Sequence, residues 1–171
     1  MRTDGDIEPP AARSQYSAPM KTNLAILAMM LLAGQNGADG VHVWRSADIT
    51  AKASELAKKL DAQKVASEVI ATEGNRTFMI AHREGSGLAE WHEKQADVMF
   101  ISSGRVTMVY GGTVVDAKTT APGEMRGPSI KGGTEARLGP GDVLHIPAKV
   151  AHQMILAPGT KVTYFVTKVV E

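Results

Sequence analysis

The 171-residue chain contains no cysteine, which excludes disulfide bonds, thiolate metal sites and cysteine nucleophiles. It also has no excess of either charge, because 19 Lys and Arg residues face 18 Asp and Glu residues, for a net charge of +1. This balance, without any long basic run, gives no electrostatic footprint for nucleic acid or for an anionic membrane surface. The apolar run at residues 24–33 is too short to span a bilayer.

The rest of the composition is that of an ordinary globular domain. Apolar residues make up 43% of the chain and charged residues 22%, so the chain is not disordered throughout. Its length suits a single domain that can bury a sizeable core. Seventeen glycines and eight prolines, together with many Val and Thr residues, favour a turn-rich β protein.

The N-terminal 40 residues differ in pattern from the rest. Residues 1–19 are mostly polar and include three prolines, so we interpret them as a polar extension. Residues 20–40 combine a basic start at Lys21, the apolar run and a tail of small residues, which matches a secretory leader that starts at Met20. We therefore expect a periplasmic or secreted protein, and a cytoplasmic one if this segment is not a leader. The alternative is a short amphiphilic helix that packs on the domain or on a neighbouring subunit.

Residues 41–171 are predicted to form one domain. Residues 46–60 place apolar side chains at helical spacing, with lysines on the opposite side, which predicts a short N-terminal helix. From about residue 65 to the end, short β-rich segments alternate with Gly or Pro, and the turn at residues 73–75 suggests a hairpin. This rhythm predicts an all-β sandwich or barrel rather than a parallel α/β sheet.

Four side chains of the β region can converge on one internal point. Glu90 and His92 are two residues apart, so they leave a strand on the same face. Asp97 follows after enough residues for a tight turn, and His152 opens a much later strand. Two imidazoles with one or two carboxylates suit a divalent transition metal, whereas a core histidine bonded to a neighbour is the alternative. The metal is favoured because two buried carboxylates without a cation would be costly.

Two stretches around these residues resemble the motifs of the cupin superfamily. The stretch EWHEKQADVMFISSG at residues 90–104 is similar to the first motif, H-x-H-x(3,4)-E-x(6)-G. Four residues separate His92 from Asp97, and six separate Asp97 from Gly104. The stretch GDVLHIPAKVAH at residues 141–152 is similar to the start of the second motif, G-x(5)-P-x-G-x(2)-H-x(3)-N. The resemblance implies a jelly-roll barrel of six to eight strands over about residues 65–171, with a single metal at its centre.

The resemblance assigns one residue to each ligand position of the family. Glu90 takes the place of the first histidine, His92 that of the second, Asp97 that of the glutamate and His152 that of the last histidine. All four are therefore expected metal ligands, and whichever of Glu90 and Asp97 does not bind the metal is the expected general base. Glu90 departs from the family by supplying an oxygen, and Asp97 is one methylene shorter than glutamate. Lys149 stands at a usual glycine, which is not a ligand position.

The segment between the motifs, residues 111–139, is long for a compact barrel of this kind. One interpretation is a flap over the barrel mouth that supplies Glu124 or Arg126 to a substrate. The other, which we favour, is a pair of extra hairpins on the barrel rim or at a dimer contact.

These features lead to a leading hypothesis and two alternatives. The leading hypothesis is an enzyme that acts on a small organic molecule, with one divalent Fe, Mn, Zn or Cu ion as Lewis acid or oxygen-activating centre. A dioxygenase, an isomerase and a lyase all fit, because one fold hosts many chemistries. The alternatives are a non-catalytic ligand-binding or sensory cupin and a metal-free structural dimer. In each case we expect a homodimer, no nucleic-acid partner and no stable membrane association after removal of the leader.

Overall fold

A computed structural model of the protein describes residues 40–171 and the two-residue strand β1. The predicted polar extension at residues 1–19 lies outside the described residues, as does nearly all of the predicted leader at residues 20–40. The first elements are β1 (Gln35–Asn36), β2 (His42–Val43), α1 (Ser46–Leu56), β3 (Val65–Glu73), β4 (Arg76–Arg83), β5 (Ala89–His92), β6 (Gln95–Gly104), β7 (Val106–Tyr110) and β8 (Thr113–Val115). They are followed by β9 (Lys118–Ala121), β10 (Glu124–Gly127), β11 (Ser129–Lys131), β12 (Thr134–Leu138), β13 (Val143–Ile146), β14 (His152–Ile155) and β15 (Val162–Val170).

The longer strands form two antiparallel sheets that pack face to face. One sheet has the strand order β12-β7-β14-β5-β10-β9, and the other has the order β13-β6-β15-β4-β3. From β4 to β7, and again from β12 to β15, most successive strands alternate between the two sheets. This alternation defines a jelly-roll barrel, which confirms the predicted all-β fold class. Two small sheets, β1-β2 and β8-β11, complete the described part.

The main core lies between the two sheets. Alternate residues of β15 point into it, which follows from the two-residue period of a strand. Each fully buried aliphatic side chain contributes about 1.5–3 kcal/mol of transfer free energy. The largest side chains that are almost completely buried are Ile101, Met108, Val162 and Asp97. A carboxylate thus stands among the most buried groups of the molecule, and this position needs a compensating partner.

Helix α1 begins at Ser46, as predicted, but ends at Leu56 rather than at residue 60. The Asp48 carboxylate accepts a hydrogen bond of 3.1 Å from the backbone N–H of Arg45 and so caps the first turn. At the other end, the N–H groups of residues 58 and 59 bond to carbonyls three residues back, which tightens the chain into turns. The apolar spacing continues beyond this point, but the helical hydrogen bonds do not.

The helix covers the outer face of the five-stranded sheet. Its Ile49 and Leu56 pack against Ile80 of β4, with Phe165 of β15 and Trp44 beside them. This second, smaller cluster supports the same strands, β4 and β15, whose inner faces line the main core. None of the helices in the described part of the chain is long and apolar enough to cross a membrane.

Gly104 ends β6 at a place that only glycine can occupy. Its φ is +81°, in the left-handed region, and a Cβ atom there would collide with the backbone carbonyl of Lys161. The chain therefore passes from β6 to β7 in close contact with the segment before β15. The glycine that ends the first motif thus fixes the turn between the two sheets.

Candidate metal centre

The structure brings all four predicted site residues together inside the barrel. Glu90 and His92 lie on β5, and the backbone register pairs Glu90 with His152, the first residue of β14. These strands belong to the six-stranded sheet. Asp97 comes from β6 in the facing sheet. His92, His152 and Asp97 are each at most 3% exposed, so the cluster is almost fully removed from water.

The distances within the cluster suit a single ion. Nε2 of His92 lies 3.5 Å from Oε2 of Glu90, and Nε2 of His152 lies 3.9 Å from the same oxygen. Oδ2 of Asp97 lies 3.8 Å from Nε2 of His92 and 3.6 Å from Nε2 of His152. Ligands at about 2.0–2.2 Å from one ion stand roughly 3.0–3.5 Å apart, so a small inward movement would complete the site. The atoms from Glu90, His92 and His152 all lie within 4.8 Å of one another.

Both imidazoles are held through Nδ1, which leaves Nε2 to face the cluster. Nδ1 of His92 donates to Oε2 of Glu124 at 2.6 Å, and Nδ1 of His152 donates to the carbonyl of Val150 at 3.1 Å. Because these acceptors hold the proton on Nδ1, Nε2 of a neutral ring carries a lone pair. Among the described residues, both Nε2 atoms are buried without a hydrogen-bond partner. Buried polar atoms of this kind require a partner, and a metal ion supplies one.

The charge states of two of these residues also suit metal binding. Burial lowers the pKa of His152 below its usual 6.5, although Glu90 and the Val150 carbonyl act against it. Burial alone would raise the pKa of Glu90. The contact with His92, the guanidinium of Arg126 and other nearby charges together outweigh burial, and they lower the pKa of Glu90 to about 2. At neutral pH the centre therefore presents an ionised carboxylate and a neutral imidazole.

Asp97 has a cationic partner of its own. Nζ of Lys168 lies 3.1 Å from each oxygen of Asp97, and the two residues are register partners on β6 and β15. The prediction that Asp97 is a metal ligand stays a prediction. Its carboxylate faces both imidazoles, but both of its oxygens already accept hydrogen bonds from Lys168.

The segment between the motifs contributes two more residues to the centre. Strand β10 adds to the edge of β5 and places Glu124 beside His92 and Arg126 beside Glu90. Nη1 of Arg126 donates to Glu124 at 3.2 Å, and Nη2 lies 3.5 Å from Oε2 of Glu90. The segment thus forms extra strands, the interpretation that the sequence favoured, and these strands also bring Glu124 and Arg126 to the centre.

Beside the centre lies a cavity of about 220 Å³ that Glu90, Asp97 and His152 help to line. Sequence reasoning missed three of its other polar residues, namely Arg83, Tyr164 and Lys168. The alternation of β15 could have indicated two of them, since Tyr164 and Lys168 share the face of the apolar core residues. The apolar part of the wall consists mainly of Met79, Met99, Met154, Val65 and Val166.

No protein-family model matches the chain, and no curated protein matches it. A solved cupin 2 conserved barrel domain protein from Rhodopseudomonas palustris is 15% identical, with 63% of this chain and 61% of that chain covered and a TM-score of 0.45. A solved cupin-2 domain protein from Rhodospirillum rubrum is also 15% identical, with 64% and 62% covered and a TM-score of 0.47. The solved DMSP lyase DddQ from Ruegeria pomeroyi DSS-3 is 16% identical, with 65% and 51% covered and a TM-score of 0.45.

This chain thus spans less than two thirds of the length of each of these three solved chains. At such low identity and TM-scores, these likenesses carry no conclusion about the chemistry of this chain. The two alternating antiparallel sheets and the Glu–His–His group inside the barrel agree with the cupin-type barrel that the two motifs predict.

Proposed function

We propose that this protein is a mononuclear metal-binding cupin in which Glu90, His92 and His152 hold one divalent transition ion. The observation that carries the proposal is the pair of buried Nε2 atoms on His92 and His152, each without a hydrogen-bond partner in the described part of the chain. An ordinary core histidine would use both ring nitrogens in hydrogen bonds. The ionised Glu90 beside them supplies the oxygen ligand and part of the charge balance.

The donor set narrows the choice of ion. Two imidazoles and one carboxylate with open positions form the arrangement of non-haem Fe(II) sites, and the same ligands suit Mn, Zn or Cu. When bound, such an ion would supply Lewis acidity or oxygen chemistry to a small molecule in the cavity. Magnesium and calcium fit poorly, because they prefer oxygen ligands throughout.

The chain's own residues would bind, shield and position a small organic molecule. The methionine and valine side chains of the cavity wall exclude water from part of the space beside the centre. If Glu90 binds the metal, Asp97 is the carboxylate that remains free of the ion, and its Oδ2 would accept a proton as general base. Lys168 would hold the Asp97 carboxylate in place during this step.

A non-catalytic ligand-binding role is the second candidate, and one contact favours it. Lys168 donates to both oxygens of Asp97, so each oxygen of this carboxylate is already engaged in a hydrogen bond within the protein. A protein that only holds its ligand would need no free base at this position.

Metal-dependent thermal stabilisation tests the proposal. An ion that binds the folded protein alone raises its stability by about 2.7 kcal/mol at a hundred times its dissociation constant. We expect at least one of Fe(II), Mn(II), Zn(II) and Cu(II) to raise the melting temperature of the wild type in calorimetry. The His92→Ala, His152→Ala double variant should show no such rise. An equal rise in both proteins, or none in the wild type with any ion, would contradict the proposal.

A further inference from the structure

Arg83 is placed to receive a ligand inside the cavity. It is the last residue of β4, on the same face as the core residue Ala81, and its side chain is only 12% exposed. Its Nε donates to the hydroxyl of Tyr164 at 3.1 Å, which fixes the direction of the guanidinium. Arg83, Tyr164 and the candidate metal ligand Glu90 all line the cavity.

The outer nitrogens of Arg83 are not used within the protein. In the range 40–171, neither Nη1 nor Nη2 makes a hydrogen bond, and the nearest carboxylate atom is Oε1 of Glu90, 3.8 Å from Nη2. Gly87 leaves the space that the guanidinium occupies, because a Cβ there would lie 2.9 Å from Nη1. A mostly buried guanidinium whose outer N–H groups make no hydrogen bond within the protein is best matched by a planar carboxylate, which can accept two of these bonds at once.

The other two cations of the cavity wall are already engaged. Lys168 donates to both oxygens of Asp97. Arg126 donates to Glu124 and to the carbonyl of Met125, and it also lies beside Glu90. Lys168 and Arg126 are thus each tied to a carboxylate by a hydrogen bond, whereas Arg83 makes no hydrogen bond to a carboxylate in the described part of the chain.

The charge balance around the centre also favours an anion. Three carboxylates stand beside three cations, so the net charge of these side chains is close to zero before an ion binds. The carboxylates are Glu90, Asp97 and Glu124, and the cations are Arg83, Arg126 and Lys168. A divalent ion would add two positive charges beside the buried side chains of His92, His152 and Asp97. A bound anion would offset part of this excess.

From these observations we propose that the cavity binds a short carboxylic acid, with its carboxylate on Arg83 and a second oxygen group directed at the metal centre. The second contact rests on the proposed metal-binding function, whereas the contact with Arg83 does not. A cavity of about 220 Å³ lies below the 300–1,000 Å³ typical of drug-sized ligands, so the acid is small. Because Arg83 and the centre share Glu90 as a neighbour, the two oxygen groups stand only a few bonds apart.

Calorimetric titration of the Mn(II)-loaded protein with lactate, malonate and malate tests this assignment. Each acid is compared with its uncharged amide, which keeps the shape and removes the charge. We expect at least one acid to bind at about 1 mM or tighter, and its amide at least tenfold more weakly. Arg83→Gln should weaken binding of this acid by about 10–100-fold while Mn(II) stays bound. Arg137→Gln, which removes an exposed arginine from β12, is the matched control and should change nothing.

The outcomes separate this inference from the proposed metal site. If Mn(II) binds but no acid does, or if acid and amide bind equally, the inference is wrong and the metal site stands. If none of Fe(II), Mn(II), Zn(II) and Cu(II) binds but an acid still binds through Arg83 to the metal-free protein, the inference stands and the metal site is wrong. Tyr164→Phe gives a second variant in case Arg83→Gln does not fold. It frees the guanidinium and should weaken acid binding severalfold without loss of Mn(II), and unchanged acid binding would count against the inference.

Discussion

The imidazole rings of His92 and His152 lie with their centroids 5.2 Å apart, although they come from different strands and from different motifs. Each ring is fixed from behind, His92 by the carboxylate of Glu124 and His152 by the carbonyl of Val150. The two Nε2 atoms therefore face a shared space. A centre built in this way depends on the anchors of the rings as much as on the ligands.

Glu124→Gln should weaken metal affinity by about 10–100-fold, the usual effect of losing an outer partner of a histidine ligand. The amide accepts the Nδ1–H bond of His92 less strongly than a carboxylate does. Competition with a chromophoric chelator measures the affinity. Glu135→Gln, at an exposed position of strand β12, removes the same charge as a control, and equal affinities in the two variants would contradict a positioning role for Glu124.

Glu90→Gln and Asp97→Asn should differ in their effect on metal binding. Glu90→Gln should lower metal affinity by more than about 100-fold, because it removes a ligand. Loss of a residue that only hydrogen-bonds to a ligand usually costs at most about 100-fold. Asp97→Asn should leave the metal content close to that of the wild type, because Lys168 already engages both oxygens of Asp97. Elemental analysis of both purified variants measures this difference. A lower metal content in Asp97→Asn than in Glu90→Gln would show that Asp97 is the ligand and that Glu90 does not bind the metal.

The sequence was sufficient to predict the fold class and the convergence of Glu90, His92, Asp97 and His152. Strand alternation and motif spacing are local patterns of the sequence, and together they predict that these four side chains point into the barrel. The full role of Glu124 could not be predicted in the same way. Its position beside His92 depends on the pairing of β10 with β5, which no local pattern specifies.

Residues that meet only through long-range pairing were missed. Lys168 reaches Asp97 because β15 lies next to β6, and Arg83 reaches Tyr164 because β15 also lies next to β4.

The predicted end of helix α1, at residue 60, was wrong. Its apolar spacing continues to Leu60, but after Leu56 the backbone hydrogen bonds span three residues instead of four, and the apolar pattern does not register this change.

Gly104→Ala should destabilise the protein more than Gly159→Ala. Both glycines have positive φ, +81° and +75°, so each substitution carries a backbone cost of roughly 1–2 kcal/mol. A Cβ at Gly159 meets nothing within 4 Å, whereas one at Gly104 meets the Lys161 carbonyl. The collision should add about 1–3 kcal/mol, and urea unfolding measures it. Equal losses would show that the chain near Lys161 yields without cost.

Tyr164→Phe should alter the alkaline stability of the protein. Burial raises the pKa of Tyr164 above 10.0, although Arg83 acts against this. The unfolded chain therefore loses this proton at lower pH than the folded protein. The corresponding stability is fully present below about pH 10 and is lost as pH rises through the folded pKa, by up to about 1.4 kcal/mol per pH unit. Urea unfolding across this range should give a shallower decline for the variant, and parallel declines would contradict the assignment.

Metal content measured by plasma mass spectrometry tests the central claim most directly. The sample is protein purified without a histidine tag or chelator, beside a His92→Ala, His152→Ala double variant that keeps its circular dichroism spectrum. The account predicts nearly one Fe, Mn, Zn or Cu ion per wild-type chain and none in the variant. A wild type without metal even after incubation with each ion, or a variant that retains the same metal content, would contradict it.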